Sequence, residues 1–157
     1  MDFNLPPELA AYLVELDRFI AAEIAPLEMA DDNIRFFDHR REHARTDWDA
    51  GGLPRADWEA LLAEARRRAD AAGHFRFALP REMGGKAGGN LAMAVIREHL
   101  AAKGLGLHND LQNEHSIVGN SVGALLMWHY GSEAQKAAWL DDLAAGRRGF
   151  AFGITEP

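Results

Sequence analysis

The 157-residue sequence predicts an all-α fold, a bundle of five helices followed by one short β-strand. Apolar residues recur in steps of three and four along several segments, which is the spacing of one face of a helix. Alternation of apolar and small residues, the spacing of a strand, occurs at residues 150–154. We therefore expect a helical domain over residues 1–149 and, over residues 150–157, the first strand of a β domain that is otherwise missing.

The composition argues against several classes of function. The net charge of −7 disfavours nucleic acid as a partner, because phosphates are bound by a basic surface. There is no cysteine, which excludes disulfides, thiolate catalysis and zinc–cysteine sites. No apolar run approaches the roughly 20 residues that a membrane span needs, and the first residues lack the basic charge of a signal peptide. We expect a soluble, cytoplasmic protein without a membrane span.

The first helix is predicted by an apolar stripe that begins after Pro6 and Pro7, two residues that a first helical turn tolerates. The stripe comprises Leu9, Tyr12, Leu13, Leu16, Phe19 and Ile20. Pro26 is expected to end or kink this helix, because proline has no amide hydrogen to donate. Residues 31–54 are charged and rich in turn residues, so we expect an irregular insertion with one helical turn near residues 37–45.

Two further helices are predicted at residues 57–72 and 90–103. The first carries an apolar face and a cationic end, which suits the helix dipole. The second is expected to be capped by Asn90. Gly73 and Gly104 follow them, and glycine is the residue that most often ends a helix.

Residues 114–130 are predicted to form a helix that is apolar on nearly every side. Such a pattern is typical of a buried helix, so we expect it to be the most buried element of the fold. Gly119 and Gly123 lie four residues apart within it. Because each glycine costs about 1 kcal/mol of helix propensity relative to alanine, the pair indicates close approach by a ligand or another backbone.

The last helix is predicted to begin at Ser132, whose hydroxyl can accept a free amide of the first turn. Gly146 is expected to end it. The alternating segment at residues 150–154 follows, and Pro157 ends the strand because proline cannot donate to a ladder.

Three groups of residues resemble the acyl-CoA dehydrogenase family. Tyr-Gly-Ser-Glu-x-Gln-Lys at residues 130–136 precedes Thr-Glu-Pro at residues 155–157 by about twenty residues, as it does where that family passes from its N-terminal helices into its central β domain. Leu-Pro-x-x-Met-Gly-Gly at residues 79–85 is similar to a loop of the family that usually has an aromatic residue at the position of Met83. The spacing of Phe19, Ile24 and Pro26 resembles the family's first helix.

The resemblance implies an FAD-dependent enzyme that removes an α proton and a β hydride from an acyl-CoA thioester. Phe152, Ile154 and Thr155 would lie against the flavin, with the Thr155 hydroxyl and the backbone near Ile154 at its N5/O4 edge. Val118 and Val122 would line the acyl-chain pocket, although plain core packing explains either valine equally well.

The family's catalytic base is a glutamate of the C-terminal domain, which is missing here. We therefore assign no catalytic residue and expect this chain alone to be inactive. The resemblance further implies electron-transfer flavoprotein as the acceptor, a homo-oligomeric parent enzyme and a role in fatty acid metabolism. Two alternatives remain open: a flavin monooxygenase on the same scaffold, and a non-catalytic helical binding module.

Other motifs receive no functional assignment. The glycine-rich residues 84–89 lack the Ser or Thr that a phosphate loop has after its lysine, so a flexible inter-helix loop is preferred. His39 and His43 have the His-x-x-Glu-His order of one zinc-protease class, but arginines flank them and we predict no metal. His108 and the polar residues that follow it suit either an acid/base group or caps for the next helix.

Overall fold

The computed structural model of the protein describes residues 4–38, 41–109, 116–119, 121–151, 153 and 155, with the backbone alone at residues 41 and 42. Its α-helices are α1 Pro7–Phe19, α2 Ala25–Met29, α3 Arg41–Arg45, α4 Ala56–Ala71, α5 Asn90–Ala101, α6 Val122–Tyr130 and α7 Glu133–Ala144. Two short strands, β1 Thr46–Asp47 and β2 Leu53–Pro54, pair antiparallel. The predicted all-α class is therefore confirmed. Within these described ranges no helix has the length and apolar character that crossing a membrane requires.

The main core lies where α1, α4 and α5 meet. Each helix contributes an apolar stripe at helical spacing, which was predicted for α1 and α4. The buried members of the three stripes are Leu9, Tyr12, Leu13 and Leu16 of α1, Trp58, Leu61, Leu62, Ala65 and Ala69 of α4, and Ile96 and Leu100 of α5. Because burying a large apolar side chain contributes about 1.5–3 kcal/mol, this cluster holds the helices together.

Pro26 interrupts the first helix, as predicted. The chain leaves α1 at Phe19, passes through a π-helical segment, Ile20–Ile24, and continues as α2 with Pro26 in its first turn. Proline has no amide hydrogen for the regular ladder, and a first turn is where that loss costs least.

The insertion at residues 31–54 contains regular structure that the sequence pattern did not predict. A 3₁₀-helix, Ala30–Phe37, precedes α3, and β1 and β2 form a hairpin. The helical turn expected near residues 37–45 corresponds to α3. The insertion also contributes to the core, because Phe36 and Phe37 are buried with ring centroids 5.0 and 5.9 Å from that of Trp58.

Residues 84–89 do not form the flexible loop that was predicted. The amides of residues 85–88 all donate to backbone carbonyls of residues 77–80, at distances between 2.8 and 3.2 Å. A Cβ added to Gly85 would overlap the carbonyl oxygen of Leu79, and one added to Gly88 would overlap the ring of Phe77. The glycines therefore allow close packing of two backbone segments, which composition alone does not distinguish from flexibility.

The helix predicted over residues 114–130 is shorter in the structure, because α6 begins at Val122. Residues 116–119 are not helical. The Ser116 hydroxyl donates to the Val118 carbonyl at 2.7 Å and accepts from the Val118 amide at 3.1 Å. Such local bonds satisfy the backbone in place of the helical ladder.

The prediction that this helix is the most buried element is wrong. The buried residues of α6 are Gly123 and Ala124, whereas α4 buries five side chains. Leu125 and Trp128 of α6 are half-buried and pack on a second cluster, which contains Leu79, Met83, Ala124 and Ala144. A helix that is apolar on every side is stabilised by cover on every side. The described residues cover only part of α6.

The last helix agrees with its prediction. The Ser132 hydroxyl accepts from the Gln135 amide at 3.3 Å, and the Gln135 side chain accepts from the Ser132 amide at 2.8 Å, which completes a capping box. Gly146 has a φ of +70° just after the helix. Phe150, Ala151, Gly153 and Thr155, the described residues of the following segment, are not in a strand. A strand needs a partner, so the strand at residues 150–157 stays a prediction.

Candidate functional site

The candidate site lies where the turn before α6 and the segment after α7 come together. The amide of Gly119 donates to the carbonyl of Phe75 at 3.1 Å, and a Cβ on Gly119 would lie 2.7 Å from that oxygen. A Cβ on Gly123 would lie 2.7 Å from the Cβ of Phe150. The predicted close approach of another backbone is therefore confirmed at Gly119, and Gly123 is closely approached by a side chain instead. A backbone carbonyl approaches the first glycine, and an aromatic side chain approaches the second.

The segment after α7, from Phe150 onward, forms the exposed part of this site. The contact of Phe150 with Gly123 holds it beside α6, but its side chain remains 47% exposed. Gly153 and Thr155 are exposed, so the Thr155 hydroxyl is open to solvent. Phe152 and Ile154, the other two predicted flavin contacts, lie outside the described residues.

The two valines predicted for the acyl pocket have different surroundings. Val118 is 0% exposed and belongs to the main core, where it packs with the stripes of α1 and α4. Val122 begins α6 and is 42% exposed. Val122 can therefore contact a ligand or an adjoining domain directly. Val118 cannot, and it instead packs in the core and supports the turn before α6.

The helices around the site leave large apolar side chains uncovered. We define the α6–α7 face by its exposed members, Val122, Tyr130, Trp139 and Phe150. Large exposed apolar side chains that recur on neighbouring elements are typical of surfaces that pack against another domain or chain.

A buried polar pair, which the sequence analysis did not predict, lies between α1 and the turn after α4. The Tyr12 hydroxyl and Nδ1 of His74 are hydrogen-bonded at 3.1 Å. Burial lowers the pKa of His74, the nearby Lys86 ammonium lowers it further, and Glu15 opposes both. The Lys86 ammonium lies 4.9 Å from the Tyr12 ring centroid and 3.5 Å from Glu15 Oε1. The two residues are 62 positions apart, so no local pattern indicates the pair.

This pair predicts that the protein loses stability in mild acid. The folded state holds His74 neutral, whereas the unfolded chain protonates it near the ordinary pKa of 6.5. The unfolded state then binds more protons, so the free energy of unfolding should fall as the pH drops from about 6.5 through the lower folded pKa. Urea unfolding at several pH values tests this, and His74→Gln should reduce the acid-dependent loss. The exposed His129→Gln is the control, and an equal reduction in both variants would contradict the assignment.

His108 is hydrogen-bonded to the backbone of Leu100 and Gly104, at the end of α5, and to no second acid or base among the described residues. It is buried, and its Nε2 has no hydrogen-bond partner among the described residues. Burial lowers its pKa, and the carboxylate of Glu28 opposes that shift. The Glu28 carboxylate accepts a hydrogen bond from the Leu107 amide at 2.5 Å, which connects the loop after α5 to α2. The geometry indicates a loop anchor.

His39 and His43 are the two histidines whose order resembles that of a zinc-protease class. His39 lies outside the described residues, and His43 is exposed. In the described part of the chain, no three His, Asp or Glu side chains come together as a metal site would require. The absence of a metal at these histidines stays a prediction.

Comparison with known proteins agrees with the helical fold. The family model described as "Acyl-CoA dehydrogenase, N-terminal domain" matches residues 6–147. The acyl-CoA dehydrogenases FadE12 of Mycobacterium tuberculosis and Mycobacterium bovis are 32% identical over 79 residues, which is 50% of this chain and 19% of each relative. No solved structure matches the chain.

The family match covers well over half of the sequence and most of the described helices. The chain therefore belongs to the acyl-CoA dehydrogenase family, in which it corresponds to the N-terminal domain. The part aligned with the FadE12 proteins is about a fifth of their length.

Proposed function

We propose that this chain is the N-terminal helical domain of an FAD-dependent acyl-CoA dehydrogenase, an enzyme that forms an α,β double bond in an acyl-CoA thioester. The single observation that carries the proposal is the family match over residues 6–147. In this proposal the parent enzyme is a homo-oligomer and passes its electrons to electron-transfer flavoprotein. The proton-abstracting base lies in a domain that this chain does not contain.

The residues at the candidate site fit one edge of a flavin pocket. Thr155 is exposed and presents a hydroxyl that can donate a hydrogen bond. Phe150 is anchored on Gly123, so the segment leaves the helical body from a fixed point. When bound, FAD supplies the hydride acceptor, while the protein's contribution is to orient the cofactor and tune its electronics. Thr155 and the backbone near Ile154 would hold one polar edge of the ring, and Phe152 would contact its surface.

The α6–α7 face supports the view that this domain functions as part of a larger protein. Its exposed apolar side chains, from Val122 to Phe150, would be covered by a β domain that follows residue 157. In the same arrangement Val122 would contact the acyl chain, and the fully buried Val118 would keep the turn beneath it rigid.

The experiment is to express the gene product that contains this chain together with the coding sequence that follows it. We expect stoichiometric FAD after desalting and acyl-CoA-dependent reduction of an electron-accepting dye. Residues 1–157 alone should retain no flavin, because a few contacts cannot offset the about 4–15 kcal/mol of lost translational and rotational freedom. Flavin retained by residues 1–157, or a longer product that binds no flavin, would contradict the proposal.

A Thr155→Ala variant of the longer protein tests the site itself. Losing one hydrogen bond to the cofactor should cost about 1 kcal/mol, or more if the flavin acceptor is left buried and unpaired. Flavin content and the rate of flavin reduction should both fall, while the melting temperature of the flavin-free protein should not change. Thr155→Ser keeps the hydroxyl and is the matched control. Equal behaviour of the alanine variant and the unchanged enzyme would remove Thr155 from the site.

A further inference from the structure

An arginine-lined groove lies between the outer face of α4 and the turn after α7, and neither Val122 nor Thr155 lines it. Its volume is about 600 Å³, which lies within the range of small-molecule pockets. Small residues of α4 and of the turn, among them Ala63 and Gly146, contribute to its walls. Three guanidinium groups line it, those of Arg66, Arg67 and Arg147.

Two of these guanidinium groups are already paired. Arg67 donates to both carboxylate oxygens of Glu64 at 2.7 and 2.8 Å, and Arg147 donates to Asp142 and Asp141 at 2.8 and 2.7 Å. The Glu64 carboxylate is held so firmly by Arg67, and then by Arg68, that its pKa is lowered to about 2. These pairs fix two cations at the rim of the groove.

Arg66 has no such partner. Its side chain is half-buried and passes beside Gly146, where an added Cβ would lie 3.4 Å from Arg66 Cδ. It makes no hydrogen bond and no ion pair with any residue in the described ranges, and the carboxylate of Glu59 acts on it through space alone. Half-buried guanidinium groups normally donate to acceptors, because a desolvated and unpaired charge is costly.

We propose that this groove binds a small anionic molecule, with Arg66 as the residue that holds its phosphate or carboxylate group. The five donors of a guanidinium form a planar fork that matches two oxygens of such a group. The small residues leave room for the body of the ligand beside the fork. This site is independent of the proposed flavin chemistry.

The carboxylates in the groove set its selectivity. Asp70 accepts two hydrogen bonds from Arg76, at 2.7 and 3.0 Å, so its charge is largely offset. The Glu59 carboxylate also lines the groove and interacts with Arg66 through space, and it would repel an anion that extended toward it. The groove should therefore accept one compact anionic group near Arg66 rather than a long polyanion.

The experiment is isothermal titration of the full 157-residue chain with inorganic phosphate and, separately, with acetate, each of which carries one compact anionic group. One site per chain is expected for at least one probe, and the better probe identifies phosphate or carboxylate as the preferred group. Arg66→Gln should weaken binding at least about tenfold. Arg81→Gln removes the same charge outside the groove and should bind as the unchanged chain does. Binding of neither probe, or equal weakening in both variants, would overturn the proposal.

A second measurement does not depend on whether the Arg66 variant folds. In the unchanged chain, addition of the better probe should shift the NMR signal of the Arg66 Nε–H group and the amides of Ala63 and Gly146. Shifts spread evenly over the exposed lysines and arginines would instead indicate non-specific charge attraction, and the proposal would be wrong.

Discussion

Gly85→Ala is expected to destabilise the protein by about 3 kcal/mol or more, the upper range for inserting a methyl group into a packed site. The added Cβ would overlap the carbonyl oxygen of Leu79 and would lie 2.6 Å from that of Arg76. Both obstacles are backbone atoms, so no side-chain rotation relieves the overlap. The loop would have to move away from residues 77–80. The hydrogen bonds that the amides of Lys86, Ala87 and Gly88 donate to that segment would then lengthen or break.

Urea unfolding of the two forms measures the effect, with the midpoint and the slope fitted separately. Gly149→Ala is the matched control, because a Cβ there meets no atom within 4 Å and the φ of Gly149 is not positive. The control should change the free energy of unfolding by less than about 0.5 kcal/mol. Equal stability of the two alanine variants would mean that residues 84–89 are not packed as described.

Local sequence patterns predicted the parts of the fold that depend on local physics. The stripe of α1, the bounds of α4 and the cap at Ser132 depend on residues only a few positions apart. The contacts of Gly85 and the Tyr12–His74 pair were not predicted, because their partners are chosen by tertiary packing. Glycines in a row indicate only that side chains are absent.

The error at α6 has a different cause. Residues 114–130 are so uniformly apolar that the pattern carries no period, and without a period neither the start of the helix nor its buried face can be read. Ser116 bonds locally to Val118, and residues 116–119 stay outside the helix. The remaining apolar surface, which includes Val122, indicates cover from outside the described chain.

The candidate site was predicted from resemblance, and the structure adds its surroundings. By resemblance, Thr155 and Val122 were expected near a flavin and an acyl chain, and both residues are exposed. Val118 was predicted with Val122 and lies instead in the main core. The two valines could share one face only on a continuous helix, and residues 116–119 before α6 are not helical.

Trp58→Ala is the second substitution with a large expected effect, a loss of about 3–5 kcal/mol in the free energy of unfolding. Trp58 is 0% exposed and is the point where the insertion at residues 31–54 joins the main core. Phe36 and Phe37 pack on its indole, and the Arg45 guanidinium lies 4.1 Å from the ring centroid. Truncation would leave a cavity that both phenylalanines and the cation line.

Two control variants make this prediction specific. Trp48→Ala is the same truncation in the hairpin, where the side chain is 62% exposed, and it should cost well under 1 kcal/mol. Trp58→Phe keeps most of the apolar contact and removes a buried indole N–H that has no acceptor among the described residues. It should therefore be milder than Trp58→Ala, because an unpaired buried donor costs about 1–3 kcal/mol.

Hydrogen exchange distinguishes a local from a global effect of Trp58→Ala. If Trp58 anchors the insertion, amides of the 3₁₀-helix Ala30–Phe37, whose two phenylalanines pack on Trp58, should lose protection more than those of α5. Uniform loss of protection would mean that Trp58 supports the core as a whole. Equal costs for truncating Trp58 and Trp48 would contradict the packing that joins the insertion to α4.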